Sequence, residues 1–176
     1  PLVGDAAGLS FVDTSLCVGE EGLLRRLRVY LRARPVPRPT PGVEGIALQV
    51  WRPEPESELG QPAYALVAES GMLEGARVGY HDIDLGESAM PVAAGDCVGW
   101  RYTEGARGAI SYAEADEAPM VRWRKGKATL GEARVFEQGG RRVYSLSLSF
   151  GDAPGCLPVA APPFAAAAAE PEALAT

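Results

Sequence analysis

The chain carries one histidine, His81, in the run Tyr80-His81-Asp82-Ile83-Asp84. A histidine beside carboxylates is the starting point of a Ser-His-Asp relay, with Asp82 or Asp84 orienting the imidazole and Ser88 or Ser111 as nucleophile. No Gly-x-Ser-x-Gly elbow accompanies it, so His81 reads as a surface strand residue and no catalytic residue is assigned. Zinc would need more nitrogen and sulfur ligands than one histidine and scattered cysteines supply. Asp82, Asp84, Gly86 and Glu87 loosely follow an acidic calcium loop, because that ion takes hard oxygen ligands, but the spacing of a calcium-binding helix pair is absent. A solvated acidic hairpin is the plainer reading. Calcium held by Asp82, Asp84 and Asp96, with help from Glu114, Asp116 and Glu117, is the alternative. No cofactor is expected.

The remaining residues of chemical interest are binders rather than catalysts. Trp51, Trp100 and Trp123 could stack on a sugar ring, with Tyr102 and nearby arginines completing a glycan site. Against this, Trp51 and Trp100 stand beside apolar strand positions where large aromatics fill a core; Trp123, among Arg122, Arg124 and Lys125, is open to either use. Arg122, Arg124, Lys125 and Lys127 form a basic spot on an acidic chain, and Arg26 and Arg28 form a second. Together with Trp123 and Phe164 these arginines are the candidates for contact with a carboxylate-rich protein partner, the plainer alternative being exposed charges balanced by glutamates. Gly105 and Gly108 precede no helix that could present amides to a phosphate, so they read as a hairpin turn.

Such residues need strands to hold them. Leu27, Val29 and Leu31 alternate with Arg26, Arg28 and Tyr30, a period of two that predicts a half-buried strand with its arginines outward. Ala33 to Val43 contains Pro35, Pro37, Pro39 and Pro41 and is expected to be an extended loop, since each proline removes a backbone donor. Ile46, Leu48 and Val50 alternate with Ala47, Gln49 and Trp51 before Pro53 and Pro55. Gly95-Asp96 supplies a tight turn into the strand that begins at Cys97. Shorter strands are expected at Tyr64–Glu69, Ala109–Tyr112, Met120–Arg124 and Ala133–Glu137. A last strand over Tyr144–Phe150 is expected to form a closing hairpin through Gly139-Gly140. The sum is an all-β, antiparallel, jelly-roll-like sandwich of about eight or nine strands. It spans residues 23–150, after an N-terminal segment, 1–22, and before a proline- and alanine-rich tail, 151–176. The tail can bury little by itself and is expected to dock on a partner.

With 17 lysines and arginines against 23 acidic residues the net charge is −6, which disfavours nucleic acid and anionic membranes. Hydrophobic residues make up 47% of the chain, enough for a core, yet the longest apolar run, Phe164 to Ala169, is too short to span a bilayer. Cys17, Cys97 and Cys156 are an odd set. Buried thiols acting as small hydrophobes are the favoured reading, with Cys97 in the core, and one disulfide plus a free thiol is the alternative. Pro1 in place of Met is expected of a processed chain, a trimmed chain or a fragment, from which any targeting peptide has already gone.

Gly45-Ile46-Ala47-Leu48-Gln49-Val50-Trp51-Arg52-Pro53, Tyr64-Ala65-Leu66-Val67, Val92-Ala93-Ala94-Gly95-Asp96-Cys97-Val98-Gly99-Trp100 and Ala109-Ile110-Ser111-Tyr112 follow one another in an order that resembles a β-sandwich module. Such modules occur in extracellular regions of multidomain adhesion-type and receptor-type proteins of animals and protists. The resemblance covers Gly22 to Arg124 and rests on the QVWRP strand and the GDCVGW turn, both structural in character. It implies a non-enzymatic interaction domain of the export compartment. The expected function is that of a structural subunit of a larger protein assembly, extracellular or in an organelle lumen. A lectin-like, calcium-assisted carbohydrate module is the alternative.

Overall fold

The computed structural model describes residues 8–33, 45–57, 59–71, 73–74, 78–103 and 108–151. In chain order the strands are β1 (Leu9–Cys17), β2 (Gly22–Ala33), β3 (Gly45–Glu54), β4 (Ala63–Glu69), β5 (Leu73–Glu74), β6 (Gly79–Asp84), β7 (Met90–Val92), β8 (Cys97–Tyr102), β9 (Gly108–Ile110), β10 (Tyr112–Glu114), β11 (Met120–Lys125), β12 (Ala133–Val135), β13 (Glu137–Tyr144) and β14 (Leu146–Gly151). They form an antiparallel sandwich. The larger sheet runs β10-β13-β11-β1-β8-β3-β4-β12, with β5 on β3; the smaller runs β14-β2-β6, with β7 and β9 also on β2. Among the described residues no helix is long and apolar enough to cross a membrane. The proline-rich loop expected after Ala33, the tail beyond Gly151, Phe164 and Cys156 lie outside the described residues.

The inter-sheet core follows from the alternation of β2 and β3. Leu27, Val29 and Leu31 of β2 are buried and meet Ile46, Leu48 and Val50 of β3, Val98 and Trp100 of β8 and Leu146 and Leu148 of β14. Trp100 lies in ring contact with Phe11 and Tyr144 at centroid distances of 5.7 and 4.5 Å. Strand β3 is buried on both faces, because its other side, through Trp51, joins a second cluster with Val12, Tyr64, Leu66, Cys97, Ala128 and Phe136.

That second cluster exists because the larger sheet curls on itself. Val135 of β12 pairs with Ala63 of β4, and Glu137, two residues later, pairs with Trp123 of β11. Two extended residues reach about 7 Å. Strands β4 and β11, separated in the sheet by β3, β8 and β1, are therefore drawn toward each other at this end. Phe136 plugs the opening, edge-on to Trp51 and Tyr64 at 4.9 and 5.3 Å.

Four expectations are corrected. The segment 1–22 contains β1, an interior strand of the larger sheet that pairs with both β8 and β11. Gly139-Gly140 is no turn: both glycines lie inside β13, where a Cβ on Gly139 would approach the Val121 carbonyl oxygen to 2.6 Å. The expected strand Tyr144–Phe150 breaks at Ser145, with β13 in the larger sheet and β14 in the smaller, and Ala109–Tyr112 breaks likewise at Ser111. Cys17 and Cys97 do not pack as free thiols, since they form a disulfide between facing positions of β1 and β8.

Candidate functional site

The two anchors of the sequence pattern turn out to hold each other. Trp51 faces Cys97 across β3 and β8, and Arg52 grips Asp96 with two hydrogen bonds of 2.8 and 3.0 Å. Asp96 Oδ2 also accepts the Ala93 amide, closing the turn in which Gly95 adopts φ +88°. Burial works against the charge of Asp96, yet Arg52 and the Ala93 amide outweigh it and hold the carboxyl below its ordinary range. Asp96 is thus a structural residue of the turn, engaged away from Asp82 and Asp84. Those two lie on β6 and pair with arginines of β2, Asp84 with Arg26 at 3.4 Å and Asp82 with Arg28 at 3.2 Å. The Gly86 amide, then Arg26, pull the Asp84 carboxyl down. Among the described residues no group of three or more His, Cys, Asp or Glu is placed to hold a metal ion.

His81 stands on β6 opposite Val29. Ser111 follows β9, on the other side of β2, and Ser88 lies in the short 3-10 turn after β6. Strand β2 thus runs between the imidazole's strand and the Ser111 backbone.

The aromatic platform suggested for a glycan does not form. Trp51 and Trp100 are fully buried, Tyr102 is buried with its hydroxyl accepting the Ile110 amide at 2.9 Å, and Trp123 packs partly buried against the inter-sheet core. Among the described residues the exposed aromatics are two tyrosines outside that expected platform. Tyr30 and Tyr80 face each other across β2 and β6 and are 44% and 64% exposed. They extend a row in which Arg26 faces Asp84 and Arg28 faces Asp82, with Ser147 and Ser149 of β14 on the far side of the same arginines. The outer face of the smaller sheet is therefore an Arg/Asp/Tyr surface. Its signal was the alternation of β2 and β6 themselves, in which Tyr30 and Tyr80 occupy the outward phase.

Arg122 and Arg124 are not on that surface. They face Val12 and Ser10 across β11 and β1, and Val12 belongs to the inner cluster, so both arginines point into the concave side of the curled sheet. A continuous polar chain runs toward them. The Trp51 indole donates to Gln49 Oε1 at 3.3 Å, the Gln49 amide to Glu69 at 2.6 Å, and Arg101 to both Glu69 oxygens at 3.1 and 3.3 Å. Arg101 in turn faces Ser10.

A cleft of about 280 Å³ opens elsewhere, lined by Asp13, Leu16, Val18, Arg142, Tyr144 and Leu146 among others, and is largely apolar. Asp13 is 2% exposed; burial raises its carboxyl above the ordinary value against the pull of two hydrogen bonds from Ser15. His81 does not line this cleft.

No family model, no curated protein and no solved structure matches this chain.

Proposed function

We propose that this chain is a non-catalytic interaction subunit of a larger protein assembly outside the cytosol. The observation that carries the reading is the outer face of the smaller sheet, where exposed Tyr30 and Tyr80 stand beside the Arg26–Asp84 and Arg28–Asp82 pairs. Tyrosine and arginine are the residues on which protein interfaces concentrate their binding energy, because both bring large contact areas together with hydrogen bonds. The two ion pairs balance internally and exposed Arg32, in the same outward phase of β2, adds one positive charge, which suits a partner surface of mixed polarity. The Cys17–Cys97 disulfide supports an oxidising compartment, extracellular or luminal.

Binding is tested by comparing the chain with a Tyr30→Ser/Tyr80→Ser variant for co-purification with its native assembly. Loss of association by a variant of unchanged β-sheet spectrum is the expected result; full retention would remove this surface from the account. A glycan reading keeps one foothold, since aromatic faces exposed in this row are also suited to a sugar ring. Saturable binding to a glycan array, abolished by the same double variant, would favour it over a protein partner.

A further inference from the structure

We propose that the concave side of the larger sheet binds a doubly charged oxyanion, a sulfate or phosphate group, between Ser10, Arg122, Arg124 and Arg134. The polar point of the floor is Ser10, since Trp51 already covers Gly99. Ser10 is flanked by Arg101 and Arg124, and Val12 by Gly99 and Arg122, in two adjacent rows of the β8-β1-β11 segment. Arg134 joins from β12, where it faces Tyr64 of the inner cluster, and it lies close enough to Arg124 to repel it. Arginines of β8, β11 and β12 therefore gather around Ser10.

The donors there lack acceptors. Ser10 is 0% exposed, and its hydroxyl has no hydrogen-bond partner; the same holds for Arg122 Nε, Arg124 Nη1 and Arg134 Nε, all buried atoms. Buried polar atoms in native proteins nearly always find a partner, and four such groups in one neighbourhood, three of them guanidinium N–H donors, call for an oxygen-rich acceptor. The charges specify it further. Arg101 is neutralised by Glu69 and Arg134 by Glu132, whereas Arg122 and Arg124 have no ion-pair partner among the described residues. Arg122 and Arg124, the latter only partly offset by Glu132, leave an excess of positive charge among the described residues that a dianion would match, and guanidinium groups present their N–H donors in the geometry that sulfate and phosphate oxygens accept. Burial, and then the nearby Arg134, push the Arg124 guanidinium below its ordinary value against the opposing pull of Glu132. This site lies on a different sheet from the Tyr30–Tyr80 surface and stands or falls independently of it.

The test is a titration of the whole chain with sodium sulfate and with sodium phosphate, against sodium chloride at matched ionic strength, following the arginine Nε–Hε NMR signals. The site predicts saturable shifts at Arg122 and Arg134 with either dianion and none with chloride. Phosphate, but not sulfate, should bind more weakly as pH falls through neutrality, where inorganic phosphate takes up its second proton. Arg124→Gln should weaken binding by about ten- to a hundredfold. Arg124→Lys, which keeps the charge and spares the fold, should also weaken it, because it removes the planar donor fork. Arg32→Gln, at an exposed position of the other sheet, should bind as the parent does. Shifts equal in chloride, no saturation, or undiminished binding by both Arg124 variants would overturn the proposal.

Discussion

Single residues explain the sequence pattern better than any ligand does. Gly99 of the GDCVGW turn is required because a Cβ there would run into the Phe11 carbonyl oxygen and come within 3.1 Å of Trp51. Gly99→Ala should lower stability by about 3 kcal/mol, measured by denaturant unfolding, since backbone cannot yield as a side chain can. Asp13 provides the pH test. Its folded carboxyl holds a proton more tightly than the unfolded one, so the folded state binds more protons above pH 3.8. Stability owed to this group is present below that value and is lost as pH rises through the raised folded value. Asp13→Asn, which keeps an acceptor for Ser15, should melt higher than the parent at pH 7 and no higher below pH 3.8; an equal gain at both would contradict the assignment. None of this was legible in the sequence. Asp13 stands in a run without alternation, and the need for glycine at position 99 depends on which strand lies beside it.

Elements whose residues alternate in character were legible, β3 included although both its faces are buried, and a strand whose buried run contains polar residues was not. Strand β2 was read correctly because Arg26, Arg28 and Tyr30 mark its wet side. Strand β1 was missed because residues 10–13 are all buried, the inner-cluster and inter-sheet faces alike, and Ser10 and Asp13 disguise a strand of the interior. The sheet changes at Ser111 and Ser145 were equally hidden. There two chain segments leave the smaller sheet together, tied by Ser145 N to Ser111 O at 2.7 Å, Ser111 N to Tyr30 O at 3.0 Å and Tyr30 N to Ser145 O at 2.9 Å. Ser145→Pro, which removes one of these donors, should cost about 2 kcal/mol in unfolding free energy, because it leaves the Ser111 carbonyl without its amide. The disulfide was open in the sequence because three cysteines allow several pairings; the register of β1 on β8 selects Cys17 and Cys97. Closing 80 residues of chain, it should contribute about 4 kcal/mol, and Cys17→Ser/Cys97→Ser should show a loss of that order in denaturant unfolding.

For the whole molecule, the period of two in the sequence foretold an antiparallel sandwich, while its curl came from a register that no local pattern encodes: β12 on β4 with β13 two residues away on β11. The curl divides the arginines by role. Those of β2 lie on the open outer face, and those of β11 are drawn inside, although both sets read alike as basic strand residues. The functional account rests on the outer set and its two tyrosines. The most direct measurement is hydroxyl-radical footprinting of Tyr30 and Tyr80 in the isolated chain and in material from its native source. The account predicts strong labelling of both in isolation and clear protection in the native state, with the buried Tyr102 unlabelled in each. Equal labelling of Tyr30 and Tyr80 in the two states would contradict it.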